Sequence, residues 1–347
     1  MFTHNPAQAV ATKVTLLMTD GKQQNGFIQD SNAKQLLFAV NAQGKGDAIN
    51  RTSVKSIRFR EEAKLMARGR QAFRQSAYEA AAKIFGKVAT DYAGIAALKD
   101  NFASEASFYQ MECLRRLGKY EELAPILASK AGKTIASTQD KLFGEQLKLM
   151  KMWAAYSAGK WDMVKAGMKF YQVPQVGDAK MLPAPVFKKM AKPTMIQLSF
   201  LRGKMYEQEK KLGLALEDYY RAFTITYGNQ PTLAKQAMLA ALAIQAADPK
   251  LKDLQTNIWQ LQGLAYYFKN GVGGGDIPAE YEQYAVLPDM PVRKPVEVKK
   301  EEQEKKESED AAKTSKAVAD KKAADEKKAL DGKGEKKVEE KKAEEKK

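Results

Sequence analysis

One histidine, His4, and one cysteine, Cys113, set the first limits on what this 347-residue chain can do chemically. Ser-His-Asp and Cys-His catalysis need a histidine placed beside a nucleophile, and ordinary zinc sites need several His or Cys ligands. His4 stands in a short polar N-terminal stretch, and Cys113 sits on an apolar helical stripe, where it reads as a small hydrophobe. Carboxylate or lysine chemistry stays open, but no Asp/Glu pair falls in a recognisable motif. Gly271-Val272-Gly273-Gly274-Gly275 lacks the Lys-Ser/Thr ending of a phosphate-binding loop and reads as a linker. The expectation is a protein that is not an enzyme and that carries no cofactor and no metal.

The other residues able to recognise a ligand are lysines. The formal net charge is +16. Residues 141–211 hold 14 basic and 5 acidic side chains, about +9. Lys148, Lys151 and Lys165 fall in a helical stretch, and Lys188, Lys189 and Lys192 in or beside a proline-rich one. Such a surface concentrates anions: an acidic protein, an anionic surface or polymer, or nucleic acid. Arg202 is the only arginine in that stretch. Lysine is a point charge without the fork that reads bases, which argues against sequence-specific nucleic-acid recognition. Tyr109, Tyr156 and Tyr206 are the aromatic candidates for anchoring a protein partner; packing in a core is the competing reading for each.

The elements that would position these residues are helical hairpins. Gly69 is followed by Ala72, Ala81, Phe85 and Val88, and Gly203 at the same offsets by Tyr206, Ala215, Tyr219 and Ala222. A small residue, a second one twelve on and an aromatic four further is how two antiparallel helices pack closely. Between these copies, Gly118-Lys119-Tyr120 and Gly159-Lys160-Trp161 each follow an apolar helical stripe and read as tight turns. These residues resemble the tetratricopeptide repeat, over about Glu61 to Phe268. The copies begin near Glu62, Ser104, Glu145 and Ile196, a spacing of 41 to 51 residues against about 34 in a regular repeat. The resemblance implies a helical solenoid with a concave face that binds a protein or peptide, and similarity to such proteins of the bacterial envelope implies a place in an envelope assembly.

Residues 10–60 read differently. Val14, Leu16 and Met18 alternate, Asp20-Gly21 makes a turn, and four further short apolar runs end at Val54 to Phe59. Five short strands in so few residues predict a small bent barrel, and their order resembles the SH3-like or Sm-like barrel. The RNA-binding asparagine of the Sm family has no clear counterpart, so RNA binding is not carried over. A cap on the first helical repeat is the preferred role.

The predicted fold class is therefore mainly α: an irregular TPR-like hairpin solenoid preceded by a small all-β barrel and followed by a disordered charged tail. The expected divisions are an N-terminal segment (1–9), a barrel (10–60), helical repeats (61–270), a docking linker (271–290) and a tail (291–347). Within the repeats the expected helix pairs cover 61–92, 101–130 and 139–171. Helices resume at 194–227, 231–247 and 251–268 after a proline-rich loop. The tail has 19 basic and 16 acidic residues and too few apolar ones to fold. No run of apolar residues is long enough to span a membrane. The start as written is no signal peptide, although Ala7-Gln8-Ala9 fits a cleavage site. The protein is periplasmic if a leader lies upstream, and otherwise cytoplasmic. The expected function is a non-enzymatic protein-interaction scaffold; the alternative is non-specific nucleic-acid binding through the barrel and the basic hairpin.

Overall fold

A computed structural model describes residues 10–60, 64–173, 190–226, 230–248, 255–271 and 275–286. His4, the Ala7-Gln8-Ala9 stretch, Lys188 and Lys189, most of the proline-rich loop and the 291–347 tail lie outside the described residues.

The N-terminal region forms five antiparallel strands: β1 (Thr12–Met18), β2 (Gln23–Ser31), β3 (Gln35–Ala39), β4 (Asp47–Asn50) and β5 (Val54–Phe59). The order in the sheet is β4-β3-β2-β1-β5. Alternation sets which face is buried: Val14, Leu16, Ile28 and Leu36 are fully buried. The β1–β2 hairpin turns at Gly21 (φ +86°), and Asp20 accepts a hydrogen bond from the Lys22 amide at 3.0 Å. The two edge strands, β4 and β5, are consecutive in sequence and joined only by the 3-10 turn Arg51–Ser53. Five flat strands would place those edges about 19 Å apart, further than that link reaches, so the sheet must roll.

Eleven α-helices follow among the described residues. They are α1 (Lys64–Arg74), α2 (Tyr78–Asp91), α3 (Phe102–Leu117), α4 (Leu123–Ala128), α5 (Lys130–Thr138) and α6 (Lys141–Ser157). Next come α7 (Trp161–Phe170), α8 (Lys192–Gln208), α9 (Leu212–Thr226), α10 (Pro231–Ala247) and α11 (Gln255–Asn270).

Four hairpins share one turn. Ser76, Gly118, Gly159 and Lys210 all adopt the left-handed conformation, with φ of 60°, 78°, 67° and 58°. In each the next amide reaches back five residues: Ala77 to Ala72, Lys119 to Leu114, Lys160 to Ala155 and Lys211 to Tyr206, all at 2.8–2.9 Å. This bond closes the C-terminus of α1, α3, α6 and α8 alike. Five residues after each turn stands a fully buried side chain: Ala81, Leu123, Val164 or Ala215. Seven residues before each turn stands Gly69, Met111, Met152 or Gly203, buried in every case.

Where that residue is glycine, an aromatic ring covers it. A β-carbon on Gly69 would lie 2.7 Å from Phe85 Cε1. In the third hairpin the sizes are exchanged, and Met152 of α6 packs on Gly167 of α7. The second hairpin has only a short partner helix, α4, and then an additional helix, α5. Ser129 starts α5 by accepting from the Gly132 amide at 3.0 Å.

The sheet and the helices share one core. Ser31 Oγ donates to the Gly94 carbonyl at 2.6 Å, Arg51 Nη1 donates to the Ala97 carbonyl at 2.9 Å, and Phe59 packs edge-on against Phe102. Beyond α11, the 3-10 helix Ala279–Tyr284 lies against the core through Tyr281 and Tyr284, with Lys269 paired to Glu282.

Candidate partner-binding surface

The helices of the array share one hydrophobic core. Eleven of the 17 residues of α8 are buried, and they fall on all its faces. That is the pattern of a core helix. Trp153 of α6 is fully buried and stacks between Tyr120 (4.3 Å between centroids) and Phe200 (5.7 Å), with its indole N–H donating to Gln197 Oε1 at 2.8 Å. Arg115 at the end of α3 donates to Gln230, next to the start of α10, at 2.9 Å. Tyr120 donates to Gln236 of α10. These two bonds tie the second hairpin to α10 across more than a hundred residues of sequence.

The three tyrosines therefore stand in different settings. Tyr206 is buried, and burial raises its phenol pKa. Tyr156 is half-buried among Tyr120, Trp153, Trp161 and Phe200; burial raises it too, with Glu207 adding to the effect. Tyr109 is half-buried in a patch built from successive hairpins. Its ring meets Phe73 of α1 at 5.4 Å, Phe85 of α2 at 5.2 Å and Phe143 of α6 at 6.2 Å. Phe73 and Phe143 are themselves only partly covered.

The rim of this patch is charged and ordered. Arg70 of α1 pairs with Glu105 of α3 at 2.8 Å. Arg116 lies 4.9 Å over the Phe73 ring and 5.2 Å over that of Tyr78, and donates to the Tyr78 hydroxyl. Glu112 holds both Arg115 and Arg116 at 2.7 Å. Burial alone would raise the Glu112 carboxyl, but the two guanidiniums hold it below its ordinary value. Burial likewise raises Tyr109. Its hydroxyl makes no hydrogen bond among the described residues, although a tyrosine of this depth usually finds one. The patch thus offers three rings, an open hydroxyl and a fixed polar rim.

Of the lysines, Lys148, Lys151 and Lys192 are exposed, and Lys165 is half-buried and paired with Glu209 at 3.4 Å. Lys148 lies over the Phe170 ring, its Nζ 3.0 Å from the centroid. Lys148 and Lys151 stand on α6 and Lys165 on α7, where it turns to Glu209 at the end of α8, while Lys192 opens α8.

Among the described residues no group of His, Cys, Asp or Glu is arranged to hold a metal. The Cys113 thiol is pushed up to about 12 by burial, which leaves it protonated and unreactive at neutral pH. No described helix is long and apolar enough to cross a membrane. Sequence reasoning missed Phe73 and Phe143 as companions of Tyr109. Their helical stripes gave only an inward direction, and convergence of three hairpins is a tertiary fact. No protein-family model, curated protein or solved structure matches this chain.

Proposed function

We propose that this chain is a non-enzymatic scaffold whose helical hairpins, TPR-like in turn and packing signature, hold a protein or peptide on the Phe73–Tyr109–Phe143 patch. The observation that carries this reading is the convergence of three part-exposed rings from α1, α3 and α6, centred on Tyr109, whose hydroxyl makes no hydrogen bond among the described residues. Aromatic and arginine side chains are enriched where proteins bind each other, and rigid rings are ordered at little entropic cost. The Arg70–Glu105 pair and Arg116 supply the polar rim that such a contact needs. Repeat architecture favours binding because stacked hairpins expose an extended, rigid surface.

The test is affinity capture from native extract at low ionic strength. The intact chain should retain a discrete protein, and a Tyr109→Ser/Phe143→Ser variant that keeps its far-UV circular dichroism should lose it. Retention of no protein by the intact chain contradicts the proposal. The lysine excess of residues 141–211 favours a second reading, non-specific nucleic-acid binding. That reading requires affinity for a random oligonucleotide to fall steeply with salt.

A further inference from the structure

We propose that the outer face of α7 docks on an anionic phospholipid bilayer. At 100° per residue, the exposed residues of α7 fall in one arc of about 120°, in the order Lys169, Asp162, Ala166, Phe170, Met163. Val164 and Met168 point the other way, into the core. The apolar part of the arc is prominent: Met163 is 54% exposed and Phe170 49%.

Lysines border this strip on both sides. Lys169 stands on α7 itself. Lys148 of α6 lies against the Phe170 ring, and Lys151 follows it by one turn, alongside the point where Met152 packs on Gly167. Neither Lys151 nor Lys169 makes an ion pair among the described residues.

Three features favour lipid over protein or nucleic acid. The strip projects from a helix and is not a groove. Its cations are all lysine, which is depleted at protein interfaces, whereas an anionic bilayer attracts charge without demanding geometry. Its apolar edge, on the side facing α6 and beyond the exposed Asp162 and Ala166, is phenylalanine and methionine, which gain by entering the headgroup–acyl boundary and gain nothing from a phosphate backbone. Lysine stems can lie along the apolar strip while their ammonium groups reach the headgroups.

The experiment is co-sedimentation of the full chain with vesicles of phosphatidylcholine containing about 30% phosphatidylglycerol, against phosphatidylcholine alone. The wild type should bind the anionic vesicles selectively. Met163→Ser/Phe170→Ser should lower the partition coefficient at least about fivefold. Lys148→Gln/Lys169→Gln should also lower it, and the charge-matched pair Lys83→Gln/Lys99→Gln, on distant exposed sites, should not. Phe170→Trp should gain fluorescence quenching by brominated lipid. The proposal is overturned if the wild type does not select anionic vesicles, if the two lysine pairs act alike, or if the Met163/Phe170 variant binds as the wild type does.

Discussion

The ring of Tyr219 lies across Gly203 so closely that a β-carbon on the glycine would stand 2.7 Å from Tyr219 Cε1. A β-carbon on Gly69 in the first hairpin would stand equally close to Phe85 Cε1. The helix backbones approach because nothing intervenes but the ring.

Gly203→Ala should therefore destabilise the protein by about 1–2 kcal/mol, since overpacking outweighs the gain in helix propensity. Gly263→Ala, mid-helix in α11 with open space around it, should stabilise by up to about 1 kcal/mol. Urea midpoints of the two variants should move in opposite directions.

The third hairpin exchanges large for small, and this exchange can be measured. A β-carbon on Gly167 would lie 2.4 Å from Met152 Sδ. Gly167→Ala and Met152→Ala should each destabilise, the second by about 2–5 kcal/mol through a cavity. The double variant should cost at least about 1 kcal/mol less than the two added, because the new methyl enters space the methionine has left. Strict additivity in a double-mutant cycle would remove the claim that this pair replaces the glycine–aromatic contact.

Much of this organisation was legible in the sequence, but its two signals never coincided. Hairpins one and four carry the glycine–aromatic pair, yet turn at Ser76 and Lys210, which advertise no left-handed residue. Hairpins two and three turn at glycines, yet place Met111 and Met152 where the others have glycine. Each signal marked half of the set, and the shared turn unites them. The five strands were legible because Val14, Leu16, Ile28 and Leu36 follow period two. Helix α5 was not, because Thr134, Ser137 and Thr138 dilute its apolar stripe and its N-terminal glycine weakens helix propensity. The bonds from Arg115 and Tyr120 to Gln230 and Gln236 were illegible because nothing local relates residues so distant. For the same reason Tyr109 could be nominated, while its neighbours Phe73 and Phe143 could not.

The buried pair Arg202–Asp218 joins α8 to α9 through two bonds of 2.6 and 2.7 Å, with both residues at most 2% exposed. Asp218→Asn should cost about 3–5 kcal/mol, because it strands a buried guanidinium. Arg202→Met/Asp218→Leu should cost clearly less than Asp218→Asn, the residual cost coming from Arg221, which also bonds Asp218. Thermal denaturation of both variants decides between a pair that adds stability and one that chiefly must not be broken.

Glu112 should shape the acid limb of stability. Its folded-state pKa lies below the ordinary value near 4.5, held there against burial by Arg115 and Arg116. The stabilisation is therefore fully present above that value and is lost as pH falls through the lower, folded one. Urea midpoints recorded from pH 6 downward should fall less steeply for Glu112→Gln than for the wild type, on top of a lower stability at neutral pH.

The scaffold reading turns on whether a partner touches the Tyr109 patch. A photo-crosslinking phenylalanine analogue placed at position 109, and separately at exposed Ala243 on α10, tests this directly in native extract. A discrete protein adduct at 109 that is absent at 243 is the predicted result. No adduct at 109, or the same adducts at both positions, would contradict the assignment of this surface.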